Sequence, residues 1–316
     1  MTEPVSVLAA GDAFAPPSLI ARAVGDELRD RPVDVRELVL EAEADGAEDA
    51  LIAALEGVEV LVTRAAPVTG RVLDARPGLR LVVVCGSGPA GVDADAAKIR
   101  DVQVCHAPGC DAAAVAEHTL GLMLAALRRV PWPDGAARPA YEDAGLELED
   151  LPVGLIGHGA VGARVARLLC AFGAQVMVYD PYVRGEIHGL RVSSLDDLLT
   201  RSRVITLHAG DSPGTRGLIG ARELALLPHG AVVVHTARGQ QLDEDALCEA
   251  LEGGRVSAAA LDTAPVPARL RTFGDRVLLT PRLGGATRAA AGKAARAAAE
   301  EVARWARGEP PAHTLN

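Results

Sequence analysis

The stretch Val153-Gly-Leu-Ile-Gly-His-Gly-Ala-Val-Gly162 is an apolar β-rich run that ends in three spaced glycines and opens into an apolar helix. A second β-rich run, Gln175-Val-Met-Val-Tyr-Asp180, follows it. Together they specify a whole βαβ unit, a far stronger constraint than a glycine motif alone. In such a unit Gly157 permits the tight strand-to-helix turn, Gly159 lets the backbone approach a pyrophosphate, and Gly162 lets the helix pack closely on the strand. The pyrophosphate then sits at the positive end of the helix dipole. Asp180 ends the second strand about twenty residues on, where its carboxylate can accept the ribose hydroxyls and would repel a 2′-phosphate. That argues for NAD over NADP. Bare glycine triplets also occur in methyltransferase and FAD sites, but strand, glycines, helix and acidic strand end together point to a dinucleotide.

With 316 residues, 49% of them hydrophobic, the chain can bury two cores. Aromatic residues make up 3%, so the packing must rest on Ala, Val and Leu. The formal charge of −10 argues against a nucleic-acid partner or an anionic membrane, both of which need a basic surface. The start of the sequence shows no basic stretch followed by a long apolar run, and no eighteen-residue apolar segment occurs, so a cytoplasmic protein is expected. Five cysteines, Cys85, Cys105, Cys110, Cys170 and Cys248, are odd in number and lack CxxC spacing. They read as reduced thiols, and no metal site is expected.

Short β-rich runs alternate with helical segments throughout, the pattern of doubly wound α/β sheets. The clearest strands are Val5–Ala9, Glu59–Thr63, Leu81–Cys85, Val153–Ile156, Gln175–Tyr179, Val204–His208, Ala231–His235, Ser257–Leu261 and Val277–Thr280. They are too many for one compact sheet. Asp111 can cap a helix from about Ala112 to Arg129, with Val115, His118, Thr119, Leu122 and Ala126 along one side. A Pro/Gly-rich link from Pro131 to Pro139 leads on toward the nucleotide strand. A final helix from about Arg288 to Arg307 carries Ala291, Ala295, Ala298, Val302 and Trp305 at helical spacing, and Gly308 with Pro310 ends it.

Three further runs carry a likeness: Val234-His-Thr-Ala-Arg-Gly-Gln-Gln-Leu-Asp-Glu-Asp-Ala-Leu247, Ala260-Leu-Asp262, and Leu279-Thr-Pro-Arg-Leu-Gly-Gly-Ala-Thr287. With Gly91-Val-Asp93 and Val115-Ala-Glu-His118, they closely resemble the D-isomer-specific 2-hydroxyacid dehydrogenase family, from roughly Val58 onward and in the same order. The resemblance implies an α/β fold of two doubly wound parallel-sheet lobes. A Rossmann NAD-binding domain, residues 106–285, would be inserted in a flavodoxin-like substrate-binding domain made of residues 1–105 and 286–316, with the active site in the cleft between lobes. It also implies a homodimer, and hydride transfer between nicotinamide C4 and C2 of a 2-hydroxy or 2-oxo acid.

On the same resemblance, Arg238 is the substrate arginine, whose guanidinium can hold a carboxylate through two parallel hydrogen bonds. Ser87 and Gly88 lie in the loop Gly86–Gly91 that receives the substrate carboxylate, where Pro89 removes one amide donor. NAD contacts fall on Gly157, His158, Gly159, Ala160, Val161 and Gly162, on Asp180, on the loop residues His208, Ala209 and Thr215, and on Ala237, Asp262 and Gly284.

Two positions break the pattern. The family moves the C2-hydroxyl proton with a histidine backed by a glutamate, and here those positions hold Arg282 and Pro267. No histidine lies between His235 and His313, and no glutamate between Glu252 and Glu300, so a shifted alignment does not restore the pair. Arginine stays protonated below a pKa of about 12 and cannot readily act as the base. Three readings remain open. The proton can pass through another group, with His235, three residues before Arg238, the best placed. Arg282 can be a second anion clamp, so that the substrate carries two acidic groups or a phosphate beside the reacting carbon. Or turnover has been lost, and the chain is a noncatalytic NAD- or metabolite-binding regulator.

Overall fold

The computed structural model describes residues 4–41, 43–130, 140, 144–238, 240–265 and 267–316. The link expected from Pro131 to Pro139 lies outside the described residues. The chain divides into two compact units, Met1–Asp111 with Ala286–Asn316, and Ala112–Gly285.

The first unit runs β1 (Val5–Gly11), α1 (Pro17–Glu27), β2 (Val33–Val39), α2 (Ala47–Ala54), β3 (Val60–Thr63), α3 (Gly70–Ala75), β4 (Leu81–Val84), α4 (Ala94–Ile99) and β5 (Gln103–His106). Its five strands are parallel in the order β2-β1-β3-β4-β5, the flavodoxin-like arrangement. β3 and β4 are buried along their whole length, as expected of strands covered by helices on both faces. β2 lies at the edge and is half exposed, with Asp34, Arg36 and Glu37 in it.

The second unit runs α5 (Ala112–Arg128), β6 (Pro152–Ile156), α6 (Ala160–Ala171), β7 (Gln175–Tyr179), β8 (Leu190–Arg191), α7 (Leu195–Arg201) and β9 (Val204–Leu207). It continues through α8 (Ala221–Leu226), β10 (Ala231–His235), α9 (Glu244–Glu252), β11 (Val256–Asp262) and β12 (Val277–Thr280). The last helix, α10 (Arg288–Ala306), returns to the first unit. The seven strands are parallel in the order β12-β11-β10-β9-β6-β7-β8, a Rossmann sheet whose order reverses between β6 and β9. Helix starts are fixed locally: Ser194, Asp243 and Thr287 each accept a hydrogen bond from the backbone amide three residues on.

Each sheet has a core on both faces. In the first unit Ile20 and Val24 of α1 meet Ala298 and Val302 of α10 on one face, while Leu51, Val72 and Ala97 fill the other. α10 presents small buried side chains, among them Ala294, Ala298, Ala299 and Ala303, which let it lie close to its neighbours. In the second unit Met123, Val165 and Leu169 from α5 and α6 pack on one face, and Leu198, Leu224 and Leu247 from α7, α8 and α9 on the other. Among the described residues no helix is long and apolar enough to cross a membrane.

Candidate functional site

Ligands of open parallel sheets bind outside the carboxyl ends of the strands, at the point where strand order reverses. Here that point lies between β6 and β9, and the glycine turn leaves β6 directly beside the end of β9. Gly157 has φ +91°, and a Cβ on it would fall 2.4 Å from the Ala209 amide nitrogen, so only glycine fits against the neighbouring strand end. A Cβ on Gly162 would lie 2.1 Å from the Gly157 carbonyl oxygen, because α6 packs down onto the turn. Gly159, by contrast, faces open space and leads into an α6 N-terminus that no side chain caps. The first-turn amides of Ala160 and Val161, which lack intrahelical acceptors, suit a phosphate, and these residues fit a dinucleotide.

Asp180 follows β7. Its Oδ2 accepts the His158 amide at 2.7 Å, and its Oδ1 accepts the amides of Tyr182 at 2.8 Å and Val183 at 3.1 Å. Burial alone would raise this carboxyl, but the three amides outweigh it and hold it below its ordinary value. It is therefore a fixed anion pinned to the glycine turn, with some of its roughly four acceptor directions already used.

His208 stands just beyond β9 and is 8% exposed, with Nε2 2.8 Å from the Thr206 hydroxyl and a buried Nδ1 that has no partner among the described residues. Burial, and next the neighbouring His235, pushes its pKa down to about 3, so it is a neutral imidazole near neutral pH. Thr215 donates to the Gly210 carbonyl at 2.7 Å and accepts the Ser212 amide at 3.0 Å, closing the loop after β9.

At the ends of β10, β11 and β12, a cavity of about 690 Å³ is lined by His235, Ala237, Arg238, Asp262, Pro267 and Arg282, together with Arg216, Arg269 and the acidic start of α9. His235 is the last residue of β10 and is 8% exposed, and Arg238 follows on the loop beyond it. In that acidic start, burial first, then the nearby Asp245 and Asp243, raises Glu244.

Asp262 organises one wall. Its Oδ1 accepts the Thr280 hydroxyl at 2.6 Å and the Leu283 amide at 2.7 Å, and its Oδ2 accepts the Gly284 amide at 2.8 Å. The Thr280 proton points to the carboxylate, so His118, whose Nε2 lies 3.1 Å from that hydroxyl, supplies the donor as its Nε2–H tautomer. Arg282, between these anchors, takes φ +57°, a left-handed conformation that costs a non-glycine residue roughly 1–2 kcal/mol. Hydrogen bonds to a charged acceptor contribute about 1.5–3 kcal/mol each, so the three at Asp262 outweigh that strain and fix the loop.

In the first unit, the Ser87 hydroxyl donates to Asp111 Oδ1 at 2.6 Å, and the Ser87 carbonyl lies 3.2 Å from His106 Nδ1. A Cβ on Gly91 (φ +79°) would fall 2.7 Å from the Ala66 carbonyl oxygen, which explains the glycine that closes this loop.

Nothing in the sequence singles out Gln241 or Thr280. Gln241 is fully buried, and its side-chain amide donates to the carbonyls of Ala209 at 2.6 Å and Arg238 at 3.1 Å, tying the His208 loop to the arginine loop. Both residues lie inside the motif runs, but Ala209, which Gln241 reaches, and Asp262 and His118, which Thr280 reaches, come from distant segments. Among the described residues no group of three or more His, Cys, Asp or Glu is placed to hold a metal.

Residues 120–284 match the family described as D-isomer specific 2-hydroxyacid dehydrogenase, NAD binding domain. The chain is 38% identical over 313 residues to the D-3-phosphoglycerate dehydrogenase of Mycobacterium tuberculosis, with 96% of this chain aligned. It spans only 57% of that relative's length. It is 33% identical over 252 residues to the hydroxypyruvate reductase of Thermotoga maritima, covering 76% of this chain and 82% of the relative. Among solved structures, the D-lactate dehydrogenase of Aquifex aeolicus in complex with NAD and lactic acid superposes with a TM-score of 0.75 at 25% identity, over 96% of each chain. The chain therefore belongs to the D-isomer specific 2-hydroxyacid dehydrogenase family, and its glycine turn and Rossmann sheet form the family's NAD-binding domain.

Proposed function

We propose that this chain is an NAD-dependent oxidoreductase that interconverts a 2-hydroxy acid and the corresponding 2-oxo acid. The observation that carries the reading is the cavity at the strand ends of the Rossmann sheet, whose wall holds Arg238, His235 and Asp262 in the unit that binds the dinucleotide. When bound, nicotinamide supplies or accepts the hydride at C2. Reduction also needs one proton at the C2 oxygen, and oxidation releases one.

In this reading Arg238 receives the substrate carboxylate in a bidentate pair and polarises the adjacent carbonyl. His235 exchanges the proton, because Arg282 keeps its charge and Pro267 has no exchangeable proton. His208, buried next to it, stays neutral. The turn from Gly157 to Gly162 takes the pyrophosphate, and Asp180 disfavours a 2′-phosphate. Ala209, Thr215, Ala237, Asp262 and Gly284 are proposed to line the nicotinamide side. A homodimer and a cytoplasmic setting complete the proposal; the five cysteines are free thiols, which suits a reducing compartment.

Arg282 and Pro267 on the cavity wall also favour a second reading, a noncatalytic NAD- or metabolite-binding protein. NADH oxidation followed by absorbance across a panel of 2-oxo acids separates the two, with Arg238→Ala as control and calorimetric titration of NADH beside it. Turnover that disappears in Arg238→Ala supports the oxidoreductase. NADH binding without turnover on any acid supports the noncatalytic reading, and NADP binding tighter than NAD would remove the role given to Asp180.

A further inference from the structure

The loop that carries Arg282 is fixed in its backbone. Both oxygens of Asp262 are engaged by Thr280, Leu283 and Gly284, on either side of Arg282, and the arginine backbone is held at φ +57° between them. Arg129 also has a left-handed φ, but Arg282 combines it with a place on the cavity wall and one carboxylate that anchors the chain on either side, and retained strain of that kind points to a functional constraint. Among the described residues the Arg282 side chain has no hydrogen bond or ion pair. Arg269, on the wall of the same cavity, is instead tied to Glu252 at 3.0 Å and Asp245 at 3.7 Å. The cavity wall also carries the uncharged Pro267 and the acidic Asp243, Glu244 and Asp245, of which Asp243 caps α9 and Asp245 faces Arg269.

We propose that Arg282, preset by Asp262, is a specificity-determining residue that binds a second anionic group of the substrate, so that the cavity selects dicarboxylic 2-oxo and 2-hydroxy acids over monocarboxylic ones. This rests on the oxidoreductase reading of the cavity. One carboxylate pairs with Arg238 and the distal carboxylate with Arg282.

The test is calorimetric titration of the full chain saturated with NAD+, using oxaloacetate and 2-oxoglutarate against pyruvate and 2-oxobutanoate. NAD+ cannot reduce an oxo acid, so binding is read without turnover. The expected result is a dicarboxylate preference of about tenfold or more. It should fall to within about twofold in Arg282→Gly, which accepts the left-handed backbone, and in Arg282→Asn, which tolerates it and guards against a folding defect in the glycine variant. Equal binding of mono- and dicarboxylates by the parent chain overturns the proposal, as does a preference that survives both variants. NADH oxidation of the same acids is run in parallel. Selective binding with no turnover would sink the oxidoreductase reading and leave the clamp standing, whereas turnover without selectivity would do the reverse.

Discussion

His208 shows how one buried residue sets a pH dependence. Its folded pKa, pushed down to about 3, lies below its ordinary value of 6.5, so the unfolded chain binds the extra proton first as pH falls. The neutral group is fully compatible with the fold above pH 6.5, and stability is lost below it, at up to about 1.4 kcal/mol per pH unit until the folded pKa is reached. At pH 5 this amounts to roughly 2 kcal/mol, and His208→Asn should lose less thermal stability than the parent between pH 7 and pH 5. Equal losses measured by thermal unfolding would mean that the imidazole is protonated, or freed, at low cost. Arg238 tests the other side of residue chemistry. Lysine keeps the charge but not the planar fork, so Arg238→Lys should lower kcat/KM roughly 10²–10³-fold while leaving the NADH dissociation constant in place. Arg238 and Asp262 could be singled out as candidates from the sequence because they sit in runs of fixed spacing. The roles of Gln241 and Thr280 could not be read there, and His118 was visible only as part of a run, since their meaning lies in partners 32, 18 and 162 residues away.

At the scale of elements, the turn between β6 and α6 separates two kinds of glycine requirement. A methyl on Gly162 would strike the Gly157 carbonyl, and one on Gly159 would meet nothing. Gly162→Ala should therefore destabilise the fold by about 1–3 kcal/mol, an overpacking cost visible in thermal unfolding. Gly159→Ala should unfold like the parent yet bind NADH more weakly in a fluorescence titration, because its methyl occupies the open face where the pyrophosphate approaches. If Gly159→Ala leaves NADH affinity untouched, that face is not the phosphate site. The strands followed the same divide between pattern and context. β3, β4 and β10 were readable because continuous Val and Leu mark strands buried on both faces. β2, β5 and β8 were passed over. β2 is an edge strand with alternating charges, β5 is the opposite edge strand and is bounded by Gln103 and His106, and β8 has two residues. Short or edge strands are held mainly by their neighbour's hydrogen bonds, and the composition of the segment does not record that neighbour.

For the molecule as a whole, the second unit is one continuous segment with cores on both faces of its sheet. Expressed alone, residues 112–285 should fold and bind NADH with affinity close to that of the full chain, checked by circular dichroism and fluorescence. A segment that stays unfolded would show that its cores need the remainder of the chain. The first unit has the opposite construction. Its five strands leave the ribosome before the other unit, but α10, which covers Ile20 and Val24, comes after it. At translation speeds of about 5–20 residues per second, the apolar side of that sheet waits uncovered for roughly 10–35 s. During that interval the nascent chain exposes a sticky sheet face beside a unit that can already close, so holding chaperones have a window set by gene order, and clusters of slow codons before residue 286 would lengthen it.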